Sequence, residues 1–443
     1  MKKAMLLMGI LVLLGPALFA ETITLEQVRT LALANSRSLA KYNLAIQSTA
    51  LDEKARVYSN LPSLSLGASA SMSLWNSSGP LEKPFDTFKA GASVSVSQSL
   101  FEGGKSVVQK AINEIASESA RKDAQAEYFN VLDSADSAYY AVLEAAATLE
   151  AAETALQSST ASLNIAEIRQ ASGMINQSDY LKALADKETQ ENSRNQARRA
   201  LSLAAAKLKS LIGADSIPEP EQIDFSGYGD LISYLGNISD EKADSLYNQF
   251  WNLLTAANPS LAKASLASQM AEKNLSLAKR SYSPSLSASF STGLNWTPDS
   301  GLGVSGGSVS LSASIPVNYW SIANSVEKSK IAMDSAALDY LSAGTQLETD
   351  LQTALIDTFT QAESVLSSSR SLEYAQKNFD YVQELYRLSQ SSVSDLGDAS
   401  SLLITSRNNL IKSRFGFLQS LSKLRSLGAI DDEQKLEKIL MGT

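Results

Sequence analysis

The sequence predicts a mainly α-helical chain that carries four membrane-length β-strands and is built as an internal duplication. Three observations predict it. First, serine and apolar residues alternate from Pro62 to Trp75, and again from Pro284 to Trp296. Alternation at period two marks a strand, because successive side chains leave a pleat on opposite faces. Second, Lys105 to Ser172 holds neither Gly nor Pro, a run that as helix would reach about 100 Å. Third, the order of helix, strand, strand and long helix recurs after about 215–222 residues.

Taken in order, Met1 to Ala20 reads as a secretory leader. Lys2 and Lys3 form its basic start, Ala4 to Leu14 its apolar core, and Ala17-Leu18-Phe19-Ala20 its cleavage region. Thr24, with Gln27 three residues on, forms a capping box for a helix carrying Leu25, Val28, Leu31 and Leu33. Helix resumes after Asn35 and runs to about Ser59. In the first strand Leu64, Leu66, Ala68 and Ala70 face one way, Ser63, Ser65, Ser69 and Ser71 the other. A loop from Asn76 to Asp86 leads to a second alternating run, about Phe88 to Phe101, and completes a hairpin.

The long helix that follows has a heptad seam of Tyr128, Ala135, Val142, Leu149, Leu156 and Leu163. Small residues from Val131 to Ala166 flank it and permit close packing. Gly173 breaks this helix, and Ser178 or Asp179 can cap a return helix that ends at Ile212 before Gly213. Residues 214–257 read as an irregular insert plus a connecting helix from near Asp240. Asn258-Pro259-Ser260-Leu261-Ala262-Lys263 then answers Asn35-Ser36-Arg37-Ser38-Leu39-Ala40-Lys41. Strands from Pro284 and to Ile315, a helix from about Tyr319 to Ser389 interrupted at Gly344, and a last helix from about Asp395 to Leu427 complete the second half. Leu396, Leu403, Leu410, Phe417 and Leu424 form its seam. The expected segments are 1–20 leader, 21–213 first repeat, 214–257 insert, 258–428 second repeat and 429–443 tail.

Composition narrows the chemistry. The 443 residues include no Cys and no His, which removes thiolate and imidazole metal sites, Ser-His and Cys-His catalysis, disulfides and a lipid-anchoring cysteine. A net charge of −9 disfavours nucleic acid, whose phosphates need Lys and Arg. No nucleophile–base pair or phosphate loop is present, and Gly103-Gly104-Lys105 lacks phosphate-loop spacing. The chain is therefore expected to have no catalytic residues, no metal and no cofactor.

Four strands cannot close a barrel, open edges are not tolerated in lipid, and closed membrane barrels start at eight strands. The barrel is expected to be built from several chains, with lipid against its apolar face. Trp75, Phe88, Phe101, Trp296, Tyr319 and Trp320 cluster near strand ends, where interfacial belts place aromatics.

Over essentially the whole mature length the sequence resembles the TolC-type outer-membrane factor family. The marks are the duplicated helix–strand–strand–helix order, Leu61-Pro62-Ser63-Leu64, Ser99-Leu100-Phe101-Glu102-Gly103-Gly104, and the two hairpin turns. The resemblance implies a homotrimer, a twelve-stranded β-barrel in the outer membrane, and a long coiled-coil helical barrel in the periplasm. It implies a passive exit channel for drug efflux or type I protein secretion, working with a periplasmic adaptor and an inner-membrane pump of RND or ABC type.

The same resemblance assigns roles at the turns. Gly173-Met174, with Ser178 and Asp179, matches the family's first tip. Asp395-Leu396-Gly397-Asp398-Ala399 matches the second, where the family places a ring of pore-lining aspartates, so Asp395 and Asp398 are the expected constriction. Tyr386 falls where the family has a tyrosine that helps hold the closed state against Asp179. Ser389 replaces the family's second-tip glycine, and Ser391 replaces an arginine, which leaves Arg387 as a substitute contact. Gly173, Met174, Ser389, Ser391 and Ser392 are the expected adaptor-docking positions. Read from the residues alone, Asp179 and Asp395 also sit where helix caps fall. The rival reading is a coiled-coil adhesin or structural protein of the envelope, which explains the helices and leader but not the duplicated hairpins.

Overall fold

The computed structural model describes residues 22–76, 79–80, 83–214, 216 and 219–442. The expected leader lies outside them, as do parts of the first strand loop and of the insert. Ten helices are described: α1 (Leu25–Asn35), α2 (Arg37–Ser59), α3 (Lys105–Ala171), α4 (Gln177–Ile212), α5 (Gly229–Leu235), α6 (Asp240–Ala257), α7 (Pro259–Lys279), α8 (Tyr319–Arg387), α9 (Val393–Leu427) and α10 (Glu433–Met441). The main strands are β1 (Ser63–Ser71), β2 (Lys89–Phe101), β3 (Ser285–Thr297) and β4 (Gly301–Ser314). The chain divides into two compact units: residues up to Leu39 with Ala126–Asn258 and Leu347 onward, and Ala40–Gln125 with Pro259–Gln346. Neither unit is one of the repeats; each takes pieces of both.

In the helical unit the α9 seam is buried throughout and the α3 seam in part, with Tyr128, Leu149 and Leu156 half-buried. Ala135, Val142 and Leu163 of α3 and all five seam residues of α9 are inaccessible. Val28 and Ala32 of α1, Tyr139 and Leu143 of α3, Leu208 and Ile212 of α4, and Phe415 and Leu418 of α9 form one core. The Thr24–Gln27 capping box is present. The repeated asparagines do the same work twice: Asn35 Nδ2 donates to the Ile212 carbonyl at 2.6 Å and Asn258 Nδ2 to the Leu427 carbonyl at 3.0 Å. Each closes the last turn of a return helix, whose final carbonyls have no intrahelical donor. Thr22–Ile23 pairs in parallel with Glu219–Pro220.

Three expectations are corrected here. Helix α8 runs unbroken through Gly344, because a single glycine costs only about 1 kcal/mol in a helix held by its packed seam. The insert is not wholly irregular: Leu231, Ile232 and Leu235 bury one side of α5. The expected tail contains α10, capped by Asp432 and buried through Leu436 and Leu440.

In the other unit β1-β2-β3-β4 form one antiparallel sheet in that order. One face is mostly serine and glycine, with Lys89 and Asn295 toward one end, and includes cross-strand hydroxyl pairs Ser63–Ser97 at 2.7 Å, Ser65–Ser95 at 2.6 Å, Ser289–Ser310 at 2.7 Å and Ser291–Ser308 at 2.8 Å. The other carries rows such as Leu64, Val96, Phe290 and Val309. Two register shifts, at Ser99/Phe101 and Ser291/Gly293, each insert one residue. An inserted residue reverses the phase of alternation, so Val304 and Val309 share the apolar face although one is even and the other odd. Among the described residues β1 and β4 each pair on one side only, and no helix is long and apolar enough to cross a membrane.

Candidate functional site at the helical hairpin turns

The two hairpin turns are built alike. At the first, α3 ends with Gly173 at φ +70°, Met174 N donating to Arg169 O at 2.8 Å and Gly173 N to Gln170 O at 3.0 Å. At the second, Gln390 N donates to Leu385 O at 2.8 Å and Ser389 N to Tyr386 O at 3.0 Å. Both are Schellman endings, which need a left-handed residue just past the helix. Glycine meets that need at Gly173. Ser389 meets it at φ +64° despite its Cβ.

Three residues later comes the next cap. Asn176 caps α4 by accepting from Asp179 N at 2.9 Å. Ser392 caps α9 in a capping box with Asp395, whose carboxylate takes Ser392 N at 3.0 Å, Ser392 Oγ at 2.8 Å and Ser391 Oγ at 3.2 Å. Neither Ser178 nor Asp179 is the cap of α4; both lie inside its first turn. Likewise α9 starts at Val393, with Asp395 in its first turn. The Ser392 amide and the two hydroxyls hold the Asp395 carboxyl below the usual carboxylate range.

The contact between hairpins runs the other way from expectation. The Arg387 side chain pairs with Glu384 of its own helix at 3.2 Å, and among the described residues it makes no ion pair with the first hairpin. Arg169 of α3, itself buried, instead donates to the Tyr386 carbonyl and to the Arg387 carbonyl at 3.3 Å. Its guanidinium also stacks 4.3 Å from the Tyr386 ring centre. Tyr386 packs with Phe379, Leu396, Ala399 and Leu403. Its hydroxyl is buried without a hydrogen-bond partner among the described residues. Burial raises the Tyr386 phenol, Arg169 lowers it and Asp179 raises it. No hydrogen bond joins Tyr386 to Asp179 among the described residues. Asp398 is exposed beside a cleft of about 190 Å³ shared by all four helices, with Lys182, Asp186 and Tyr386 on its wall. Met174, 71% exposed, and Leu388, 58% exposed, stand at the two turns.

A model of the outer membrane efflux protein family matches residues 28–214 and 251–428. The chain belongs to the outer membrane efflux protein family. Solved structures share its fold. The chain matches CusC with a TM-score of 0.76 at 16% identity, over 91% of each chain. It matches VceC of Vibrio cholerae at 0.72 and 15%, over 91% of this chain and 96% of that one. It matches the CmeC channel of Campylobacter jejuni at 0.73 and 16%, over 94% and 89%. No curated protein sequence matches it. Membership makes the protein an outer-membrane efflux channel that extends into the periplasm.

This efflux protein also has a buried charge cluster that its sequence did not reveal. Asp136 of α3 is fully buried. It accepts from Arg29 Nε at 2.6 Å and Nη2 at 3.0 Å, from Arg425 Nη2 at 2.7 Å and from Ser422 Oγ at 2.8 Å. Glu433 of α10 bonds both arginines. The cluster ties α1, α3, α9 and α10 together. Nearby, burial raises the Asp133 carboxyl, against the Ser422 hydrogen bond that lowers it. Arg169 was missed for a similar reason: a cation in a last helical turn normally only complements the helix dipole.

Proposed function

We propose that three copies of this efflux protein form a passive duct, each giving four strands to a twelve-stranded barrel, and that the helical turns form its periplasmic mouth. The observation that carries the trimer is the sheet with two unpaired edges, since a sheet in lipid must close. An adaptor docks on the turns and an inner-membrane pump supplies the energy, for drugs or for secreted proteins. Exposed Met174 and Leu388 support docking there, because apolar groups standing free at an exposed turn suit a partner surface. Asp395 and Asp398, three apart on one helix face, are proposed as two stacked carboxylate rings at the constriction. Arg169, Tyr386 and Asp179 are proposed to hold the closed state, with Ser178 and Arg387 beside them.

Gly173 gives the test. A Cβ there meets no atom within 4 Å, so a bulky residue strains only the turn and projects into the docking space. Gly173→Trp is expected to abolish export while trimers still assemble in the outer membrane. Gly173→Ser, which copies Ser389, is expected to export normally. Normal export by Gly173→Trp would remove the turn from the mechanism.

A further inference from the structure

We propose that Lys89 forms a ring of three ammonium groups inside the outer end of the barrel, a site for small multivalent anions on strands that carry no other charge. The inference rests on the trimeric duct above. Lys89 is the single charged residue in β1–β4. It is exposed, and it makes no ion pair among the described residues.

Its face follows from the register. Lys89 opposes Ser71, and the neighbouring row on the same face is Ser69, Gly91 and Asn295. The next rows on that face are serine and glycine throughout. Space is tight there: a Cβ on Gly67 would lie 3.1 Å from Ser93 Oγ, one on Gly91 3.1 Å from Asn295 Oδ1, and one on Gly293 3.1 Å from Ser305 Oγ and 2.6 Å from the Ala92 backbone carbonyl oxygen. Such convergence belongs to the inner face of a curled sheet. The residue next along, Ala90, opposes Trp296 on the apolar face, and Trp296 meets the Phe88 ring edge-on at 5.7 Å. That aromatic pair marks the lipid interface, so Lys89 turns away from lipid. Its height follows from the connections. Helices join the strands at Ser63, Phe101, Ser285 and Ser314, whereas Lys89 adjoins the loop at the far end of the β1–β2 hairpin. With the helices in the periplasm, that loop end is the external one.

Rings of Lys or Arg favour anions in pores, as carboxylate rings favour cations. Hydroxyls of the serine rows carry no charge to oppose the ring. The proposed duct therefore carries both signs of filter: carboxylates at the helical turns and ammonium groups in the barrel. The Lys89 ring attracts anions such as inorganic pyrophosphate from outside and repels external multivalent cations.

The test uses purified trimers in planar bilayers under a KCl gradient near 0.1 M, where the screening length is about 10 Å. Pyrophosphate is added to each side in turn. In the wild type, pyrophosphate on the barrel side is expected to block. In Lys89→Gln that block is expected to vanish and the reversal potential to shift toward the potassium value. Lys89→Glu shifts it further, and Lys89→Arg restores block. Near 1 M salt, with a screening length of about 3 Å, the differences should shrink. Conducting trimers whose selectivity and barrel-side block are the same with Lys89→Gln would overturn the ring. A wild type that forms no conducting trimer would overturn the duct itself.

Discussion

Ser389 holds a backbone conformation that costs an L-residue roughly 1 kcal/mol and costs glycine little. Ser389→Gly is expected to stabilise the second turn by about that amount, offset in part by the freer unfolded chain. Slower hydrogen exchange at Gln390 N and Ser389 N would show it. Arg169 contributes more to the same turn. Hydrogen bonds from a charged group are worth about 1.5–3 kcal/mol, so Arg169→Met is expected to loosen the end of α8 and raise the basal conductance of closed channels. An unchanged basal conductance would take Arg169 out of the closed state. Asp395 gives a pH dependence with a definite sign. Its carboxyl is depressed in the folded chain. Its contribution is therefore complete above the ordinary value near 3.9 and is lost only as pH falls through the lower folded value. Protection of the first-turn amides of α9, corrected for intrinsic exchange, is expected to stay level from neutral pH down to about 4. Loss of protection already near pH 6 would show that the carboxyl is raised instead.

At the scale of elements, α10 depends on the Asp136 cluster. Removing one partner of a buried ion network costs about 3–5 kcal/mol, because the remaining charge is stranded. Asp136→Ala leaves Arg425 in that position and is expected to lower the thermal midpoint sharply and release α10 to proteolysis. A midpoint within a degree or two of the wild type would contradict the account of the cluster. This element was not legible in the sequence: Asp136 lies among the many polar residues of α3, and its partners stand more than a hundred positions away. The seams were legible, because Leu396, Leu403, Leu410, Phe417 and Leu424 repeat every seven residues, and all are buried. The strands were legible from their period of two. Their bulges were not, since one extra residue reverses the phase without changing composition. The caps were misplaced by two or three positions because Asn176, Ser392, Asp179 and Asp395 are all residue types that cap.

For the whole molecule, the duplication showed in Asn35 and Asn258 before their shared task was known. The turns show it more fully: Gly173, Asn176 and Asp179 correspond to Ser389, Ser392 and Asp395. What one chain leaves open is the closure of its sheet: among the described residues β1 and β4 each pair on one side only, and in the proposed trimer their partners come from other copies. That closure underlies the duct, the carboxylate rings and the Lys89 ring. The most direct measurement is the native mass of the protein extracted from outer membranes in mild detergent, with crosslinking before extraction as control. A trimer that conducts on reinsertion is the expected result. A folded monomer that stays stably inserted in a bilayer would contradict the account.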